Sequence, residues 1–234
     1  MIFYSVHFNR PDFISIQKKC IDGIGGKLVV IDNSNFGDSI KKECNRLDVA
    51  YYSNPSRGNY AGNPSFSHGS ALNFTRSLID YSEDWCLIDH DFFPIKKIDF
   101  EDFDIVSIFQ VRGEVTYLWP GFIAAKKHVV INEIDFFPVH GVGDTGVGTE
   151  VLVREKKYNI RGSRERTVVQ NIPDGVYLQK FPTLNLIDDV GVHYLNGSSW
   201  MAVDREVIEK KNEDLIKMIN DLIYENNTES NSDK

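Results

Sequence analysis

Apolar positions in the first part of the chain fall into short continuous runs that alternate with segments of helical spacing. Residues 2–8 form an apolar, aromatic and β-branched run that ends shortly before Pro11. Helically spaced apolar positions follow at 12–24, then a second apolar run at 27–31, a second helical segment at 40–47 and a third short run at 49–52. Continuous apolar runs of strand length are typical of strands buried on both faces of a parallel sheet. We therefore predict successive strand–helix units, joined by right-handed crossovers in a mainly parallel α/β sheet.

The remaining pattern extends this architecture. Residues 57–70 are rich in Gly, Asn, Pro and Ser and are predicted to be a loop that leads into a helix carrying Leu72, Thr75, Leu78 and Ile79. Further strands are predicted at 104–110, 115–118 and 123–125, with helices at 150–157 and 204–224. We predict one domain over residues 1–224 and a polar, disordered tail at 225–234.

Composition narrows the class of protein. The 234 residues are 41% hydrophobic and carry a formal net charge of −8, which suits a globular domain and argues against a nucleic-acid partner. The three cysteines are widely spaced and are interpreted as reduced core thiols, although one disulfide stays open. The first residues lack the pattern of a signal peptide, and no apolar run reaches the roughly 18 residues of a membrane span. We therefore expect a cytoplasmic protein without a transmembrane segment.

Asp89 and Asp91 stand two residues apart where the apolar run at 85–88 ends. Side chains i and i+2 at the end of a strand share a face, so both carboxylates can reach one hard cation. Mg²⁺ or Mn²⁺ is commonly held by one or two carboxylates together with substrate phosphates. On these residues alone, a polar turn that closes a buried strand is equally compatible.

Polar residues follow several of the predicted strands. Ligands of parallel α/β sheets bind beyond the carboxyl ends of the strands. Their convergence at that edge favours a functional site over a simple turn. The residues expected there are His7, Asn9, Asp32, Asn33, Ser34, Asp89 and Asp91.

Seven short motifs follow one another over residues 2–200. They are Ser5-Val-His-Phe-Asn-Arg-Pro11, Val30-Ile-Asp-Asn-Ser34, Gly69-Ser-Ala-Leu-Asn73, Leu87-Ile-Asp-His-Asp91, Trp119-Pro-Gly-Phe122, Gly143-Asp-Thr-Gly146 and Val192-His193. Their order resembles that of the GT-A glycosyltransferases, in particular the family 2-like enzymes. This resemblance implies a GT-A, Rossmann-like, mostly parallel mixed sheet flanked by helices, with a nucleotide-binding half at 1–100 and an acceptor half at 101–203.

The resemblance also implies roles for individual residues. Asp32 would contact the base or ribose of a donor nucleotide, Asp89 would face the ribose side, and Asp91 would ligate Mn²⁺ or Mg²⁺. His193 would complete the metal shell with the two acids, although a lone histidine on a strand is also commonly a bonded core residue. The expected nucleotide-binding residues are His7, Asn9, Asp32, Asn33, Ser34, Arg57, His68, Asn73 and Asp89.

Asp144 matches the position where these enzymes carry a catalytic acid, and we expect it to be the base of an inverting transfer, with Glu150 in reserve. Gly143 stands before it where an acid is more common, and an aspartate capping a glycine-rich loop is an equal alternative. Trp119 and Phe122 are expected to hold the acceptor, unless Phe122 is simply part of the core.

These features predict a metal-dependent glycosyltransferase that moves a sugar from a UDP- or GDP-sugar to a hydroxyl of a glycan or glycoconjugate. One alternative is a nucleotidyltransferase or sugar-nucleotide pyrophosphorylase. That class normally has a glycine-rich basic loop after the first strand, where this chain has Asn9-Arg-Pro-Asp12. The other alternative is a non-catalytic carbohydrate-binding protein on the same fold.

Overall fold

The computed structural model describes residues 1–35, 37–60, 62–139, 142–168, 184–188 and 190–194, together with Glu213, Ile216 and Lys217. Most of the predicted helix at 204–224 and the whole tail at 225–234 lie outside these residues, so the single domain stays a prediction. The described elements are β1 Ile2–His7, α1 Asp12–Gly23, β2 Lys27–Asp32, α2 Ser39–Leu47, β3 Ala50–Ser53, α3 Pro64–Arg76, β4 Trp85–Asp89, β5 Phe92–Pro94, β6 Ile105–Arg112, β7 Val115–Ala125, α4 Glu150–Glu155, β8 Ile160–Gly162, β9 Glu165–Val168, β10 Leu184–Ile187 and β11 Gly191–Tyr194.

Strands β1 to β4 and β6 to β8, with β5 excluded, form the larger of the two sheets seen in the described residues, in the order β3-β2-β1-β4-β7-β6-β8. Strand β1 is parallel to β2 and β4, β2 is parallel to β3, and β6 is parallel to β8. Only β7 runs antiparallel to its neighbours, β4 and β6. The predicted α/β class, with helices beside a mostly parallel mixed sheet, is confirmed. The strand order reverses at β1, between β2 and β4, and such a switch point opens a crevice at the carboxyl ends of the strands.

Both faces of this sheet are covered by helices, which explains the continuous apolar runs. Alternate side chains of β1 enter different clusters: Tyr4 packs with Leu72 of α3 on one face, while Phe3 packs with Ile14 of α1 and Ile40 of α2 on the other. Because a strand directs successive side chains to opposite faces, a strand covered on both sides needs apolar residues throughout.

Helix α1 lies between the two sheets. Its Ile14 and Ile21 pack against the large sheet, whereas Phe13 and Cys20 pack with Phe93 of the smaller sheet. That sheet has the strand order β5-β11-β10-β9 among the described residues and is antiparallel throughout. Its first strand, β5, begins only three positions after β4 ends.

Strand β7 is one continuous strand of 11 residues, although the sequence predicts two strands separated at Pro120. The pairing register of β6 with β7 shifts between Ser107 and Phe109, so Pro120 lies in an irregular stretch of the ladder. Strand β4, on the other side, pairs with β7 only from Phe122 onwards. The missing N–H of Pro120 therefore falls where the ladder is interrupted, which is where a sheet tolerates proline.

Helix α3 begins at Pro64, within the segment predicted to be a loop. Asn63 is its N-cap and accepts a hydrogen bond from the backbone N–H of Phe66 at 3.2 Å. An Asn cap followed by Pro at the first helical position is a strong start signal, which the Gly, Asn and Ser content of the segment concealed. Gly69 lets this helix approach the segment at Phe136, because an added Cβ would lie 2.7 Å from the Phe136 carbonyl oxygen.

The three cysteines are free and buried, in agreement with the prediction of reduced core thiols. Burial raises the pKa of the Cys20 and Cys44 thiols to about 12, so both stay protonated and unreactive. Among the described residues, no helix has the length and apolar character needed to cross a lipid bilayer.

A buried polar network lies beneath β1. Gln17 of α1 accepts hydrogen bonds at Oε1 from the Ser5 hydroxyl at 2.8 Å and from Nε2 of His7 at 2.9 Å. All three side chains are fully buried. Burial, followed by the nearby His90, lowers the pKa of His7 from 6.5 to about 3, so this imidazole is neutral in the folded protein.

His7 makes stability depend on pH. Below pH 6.5 His7 binds a proton in the unfolded chain but stays neutral in the folded protein. The contribution of neutral His7 to stability is therefore fully present above pH 6.5 and is lost as pH falls towards 3. We expect about 2 kcal/mol of the free energy of unfolding to disappear between pH 7 and 5 through this group. Urea unfolding at several pH values measures it. The free energy of unfolding should depend less steeply on pH in His7→Gln than in the wild type. Equal losses of stability between pH 7 and 5 in the two proteins would contradict the assignment.

Candidate active site

A cavity of about 500 Å³ opens at the carboxyl ends of β1, β2 and β4. It lies at the switch point of the large sheet, where ligands of such sheets bind. Its wall also includes the first turns of α3, part of the β6–β7 hairpin and the loop before α4. The lining residues are Val6, Phe8, Asn33, Asn35, Tyr60, Pro64, Ser65, Ser67, His68, Asp89, His90, Asp91, Gln110, Trp119, Pro120, Asp144 and Thr145.

The Asp-His-Asp motif forms the turn from β4 to β5. Strand β4 ends at Asp89, and His90 and Asp91 lie in the turn itself. The backbone N–H of His90 donates to the Val6 carbonyl at 3.1 Å, and the carbonyl of Asp91 accepts from the N–H of Tyr194 at 2.8 Å. Both acids line the cavity, but they meet there through a turn and not through the alternation of one strand.

Asp89 is paired with His68 of α3. His68 Nε2 and Asp89 Oδ1 lie 2.8 Å apart. The side chains of His68 and Asp89 are 26% and 19% exposed. Desolvation alone would raise the pKa of Asp89, but the charge of His68 and its hydrogen bond outweigh it and lower that pKa. In the same way, desolvation opposes the charged form of His68, while Asp89, then Asp91 and Asp144, raise the pKa of His68.

Asp91 and His193 approach each other without a hydrogen bond. Asp91 Oδ1 and His193 Nε2 are 3.9 Å apart, and both side chains are about nine-tenths buried. The His193 ring also packs on Trp119 with 4.6 Å between ring centroids. Within the part of the chain that the structure describes, no three His, Cys, Asp or Glu side chains converge on one metal position. The expected three-residue set of Asp89, Asp91 and His193 is therefore not gathered, although its two acids share the cavity.

Asp32 is bound entirely within the protein. One carboxylate oxygen accepts the backbone N–H of Ser34 at 2.9 Å, and the other accepts the Tyr51 hydroxyl at 3.0 Å and Arg57 at 2.7 Å. Asp32 is fully buried, so it braces the loop after β2. Asn33 and Asn35 of this loop reach the cavity, and the Asn33 amide donates to Ser67 of α3.

The predicted nucleotide-binding residues divide into two groups. Asn33, His68 and Asp89 line the cavity. The others lie around it in structural roles: Asn73 bonds Asp135 and Phe136, and the N–H of Asn9 donates to the Ser34 hydroxyl at 3.0 Å. The residues that the structure does not bring to the cavity wall are His7, Asn9, Asp32, Ser34, Arg57 and Asn73.

Asp144 lines the cavity from a turn ahead of a short 3₁₀ helix at Val147–Thr149. Its Oδ1 accepts the backbone N–H of Thr145 at 2.7 Å, and the Thr145 hydroxyl donates to the Ser65 carbonyl at 3.0 Å. Burial acts to raise the pKa of Asp144, but hydrogen bonds from Ser65 and Thr145 lower it, so the carboxylate is ionised at neutral pH. Glu150 instead binds Arg154 on α4 through both oxygens and does not line the cavity.

The two aromatic residues expected to hold an acceptor have different positions. Trp119 lines the cavity. Phe122 is fully buried and stacks on Phe92 with 4.7 Å between ring centroids, so it belongs to the core. Sequence reasoning missed Ser65, Ser67 and Tyr60, and the Asn63-Pro64 helix start was the signal that would have found the first two.

The charges on the cavity wall are one-sided. Asp89, Asp91 and Asp144 line it, whereas none of the described lining residues is Lys or Arg. Such a wall attracts cations and repels an uncomplexed anion.

No protein-family model and no curated protein matches the sequence. Among solved structures, the chain is similar to a galactosyltransferase, LgtC, in complex with donor and acceptor sugar analogs, at 12% identity and a TM-score of 0.38 over 54% of this chain and 58% of that one. An active-site mutant of LgtC gives 12% identity and a TM-score of 0.39 over 55% and 58%. A mannosyltransferase, PcManGT from Pyrobaculum calidifontis, in complex with GDP-Man and Mn2+, gives 14% identity and a TM-score of 0.47 over 69% and 53%.

The chain thus spans little more than half the length of each of these proteins. At these identities the likeness concerns the fold.

The His68–Asp89 pair predicts a measurable titration. In protein freed of divalent ions, the pKa of His68 should lie above 6.5. Asp89→Asn should lower the pKa of His68, because it removes the main negative charge that offsets the desolvation of the imidazolium. The pair therefore stabilises the fold fully between pH 3.8 and 6.5, and progressively less as pH rises through the folded pKa of His68 or falls through that of Asp89. NMR titration of the histidine ring signals measures this. Asp22→Asn, which removes an exposed acid on α1, is the control, and equal His68 values in all three proteins would refute the pairing.

Proposed function

We propose that this protein is a metal-dependent glycosyltransferase that transfers a sugar from a nucleoside-diphosphate donor to an acceptor hydroxyl. The observation that carries the proposal is the cavity wall, where Asp89, Asp91 and Asp144 meet without a lysine or arginine among the described lining residues. A donor diphosphate brings about two negative charges into this site. A divalent cation held by the carboxylates would supply the positive charge that binding of the diphosphate needs.

The chemistry of the donor set fits Mn²⁺ or Mg²⁺. Asp89 and Asp91 supply carboxylate oxygens, and a cation held by two carboxylates takes its remaining ligands from phosphates and water. His193 does not line the cavity, and its Nε2 lies 3.9 Å from Asp91 Oδ1, so the proposed donor set consists of the two acids. When bound, the cation supplies Lewis-acid neutralisation of the departing diphosphate.

The protein groups then have separate tasks. Asn35 of the loop after β2 and Ser67 of α3 offer hydrogen-bonding groups to the nucleoside, while the Asn33 amide is bound to Ser67 and Asn54. Trp119, on the hairpin side, offers an aromatic surface to the apolar face of an acceptor sugar. This arrangement holds the acceptor hydroxyl near the anomeric carbon and lowers the entropic part of the barrier.

Asp144 is the proposed base. As the acceptor oxygen bonds to the anomeric carbon, its proton passes to the Asp144 carboxylate, and the bond from that carbon to the diphosphate breaks. The lowered pKa of Asp144 keeps the carboxylate ionised at neutral pH, which is the protonation state that a base needs, while it also makes Asp144 a weak base. Attack from the face opposite the leaving group gives inversion. Glu150 is a weaker candidate because Arg154 already binds both of its oxygens.

The loop after β1 gives no support to a nucleotidyltransferase. Arg10, the only basic residue of Asn9-Arg-Pro-Asp12, binds the Asp12 carboxylate and lies 3.5 Å above the Phe13 ring. It does not line the cavity, so this loop lacks the phosphate-binding character of that class.

The first test of the proposal concerns Asp91. Asp91→Ala should abolish Mn²⁺-dependent binding of UDP or GDP, because one of two cation-binding carboxylates is gone. Isothermal titration with each nucleotide, with and without Mn²⁺, provides the measurement, and a thermal-shift screen of nucleotide sugars identifies the donor. Asp102→Ala, which removes an exposed acid of the same charge, should bind as the wild type does. Wild-type protein that binds neither nucleotide with Mn²⁺ would refute the proposal and favour a non-catalytic protein.

The second test separates binding from chemistry. Asp144→Asn should keep nucleotide affinity while the transfer rate falls about 10²- to 10⁴-fold, because the amide cannot take the acceptor proton. Glu150→Gln should change the rate little. A fully active Asp144→Asn protein would remove Asp144 as the base.

A further inference from the structure

We propose that Gln17 is a positioning residue for the two acids of the Asp-His-Asp turn. Its side chain holds the backbone at both ends of that turn and so sets the separation and direction of Asp89 and Asp91. This inference rests on the proposed function, since it gives the turn the task of holding a cation and a diphosphate. Gln17 belongs to helix α1, 72 positions before Asp89 along the chain, and does not line the cavity.

The contacts of Gln17 bracket the turn. Its Nε2 donates to the carbonyl of Asp89 at 2.9 Å and to the carbonyl of Phe92 at 2.8 Å. Because a peptide unit is planar, fixing a carbonyl oxygen fixes the plane of the peptide that follows it. The carbonyl of Asp89 belongs to the peptide that enters the turn, and Phe92, whose carbonyl is the other acceptor, is the residue directly after Asp91. One side chain thus holds the two limits of the segment that presents both carboxylates.

Glutamine suits this position because all four of its hydrogen-bonding capacities are used. The two N–H groups serve the turn, while Oε1 accepts the Ser5 hydroxyl at 2.8 Å and His7 Nε2 at 2.9 Å. Ser5 and His7 lie on β1, which pairs with β4 up to Asp89. The amide orientation follows from its partners, since two carbonyls demand the nitrogen and a hydroxyl donor meets the oxygen. Gln17 therefore links α1, β1 and the turn in one buried network.

Burial makes this linkage stiff. Gln17, Ser5 and His7 are fully buried, so water cannot replace a lost hydrogen bond without opening the core. Loss of the Gln17 amide would leave two buried carbonyls without these donors, and the turn would relax to satisfy them. Outer groups of this kind, which orient the ligands of a metal, typically change metal affinity by about 10- to 100-fold when they are replaced.

The test compares three variants at a temperature well below their unfolding midpoints. Gln17→Met keeps the length of the side chain and removes its hydrogen bonds. Ser5→Ala removes only one donor to Gln17. Ser107→Ala is the matched control, because Ser107 is also fully buried on a strand of the large sheet and its hydroxyl donates one hydrogen bond of 2.7 Å, to the Phe122 carbonyl. The measurement is the Mn²⁺ concentration needed to support half-maximal UDP or GDP binding.

We expect Gln17→Met to raise this Mn²⁺ requirement about tenfold or more. Ser5→Ala should raise the Mn²⁺ requirement by a smaller factor. Ser107→Ala should leave it unchanged, even if its unfolding midpoint falls as far as that of Ser5→Ala. Excess Mn²⁺ should restore nucleotide binding to Gln17→Met, which a general loss of folded structure would not allow. If Gln17→Met does not fold, the pair Ser5→Ala and Ser107→Ala decides the question.

Two results would overturn the inference and can be told apart. In the first result, wild-type protein binds nucleotide with Mn²⁺, but Gln17→Met needs no more Mn²⁺ than Ser107→Ala does. Where Gln17→Met does not fold, the same comparison is made between Ser5→Ala and Ser107→Ala. Gln17 then has a structural role only, and the positioning role is wrong. If wild-type protein shows no Mn²⁺-dependent binding of UDP or GDP, the proposed function fails, and the positioning role fails with it.

Discussion

The turn between Asp89 and Phe92 is the constraint on which the rest of the candidate site depends. It is the point where the chain leaves the large sheet and enters the small one, so its backbone must satisfy both. Strand β1 bonds it through the Val6 carbonyl, β11 through the Tyr194 N–H, and α1 through Gln17. Three elements far apart in sequence therefore hold two carboxylates at the edge of one cavity. A turn bonded on all these sides loses little conformational entropy when a ligand binds.

The electrostatics of the cavity follow from how the surrounding charges are already paired. Arg57 is engaged by Asp32 behind the cavity wall, and Arg10 is engaged by Asp12, so neither cation reaches the cavity. His68 offsets part of the negative charge by pairing with Asp89. Asp91 and Asp144 also line the cavity, and no lysine or arginine is among its described lining residues. A wall of this charge attracts cations, which is the property on which the proposed function rests.

Local pattern predicted most of the regular elements. Apolar runs identified β1, β2 and β4, and their freedom from alternation correctly indicated burial on both faces. The failures occurred where tertiary contacts override local signals. Pro120 should interrupt a strand, but the shifted register of β6 and β7 absorbs it. The segment before His68 has the composition of a loop, yet a cap and a first-turn proline start α3 there, and Gly69 allows that helix to pack closely.

The sequence by itself determined the order of strands and helices as far as β4, the acidic character of the strand ends and the presence of two carboxylates in one short motif, because these follow from local periodicity and residue type. Which polar residues face a ligand was decided only by the tertiary structure. Asp32, His7 and Asn73 look as suitable in the sequence as Asn33 and His68, but their partners Arg57, Gln17 and Phe136 come from other elements. Gln17 shows the same limit in reverse. Nothing in a helical spacing marks one glutamine, and its importance arises because folding brings two carbonyls, separated from it by more than 70 positions, within hydrogen-bonding distance.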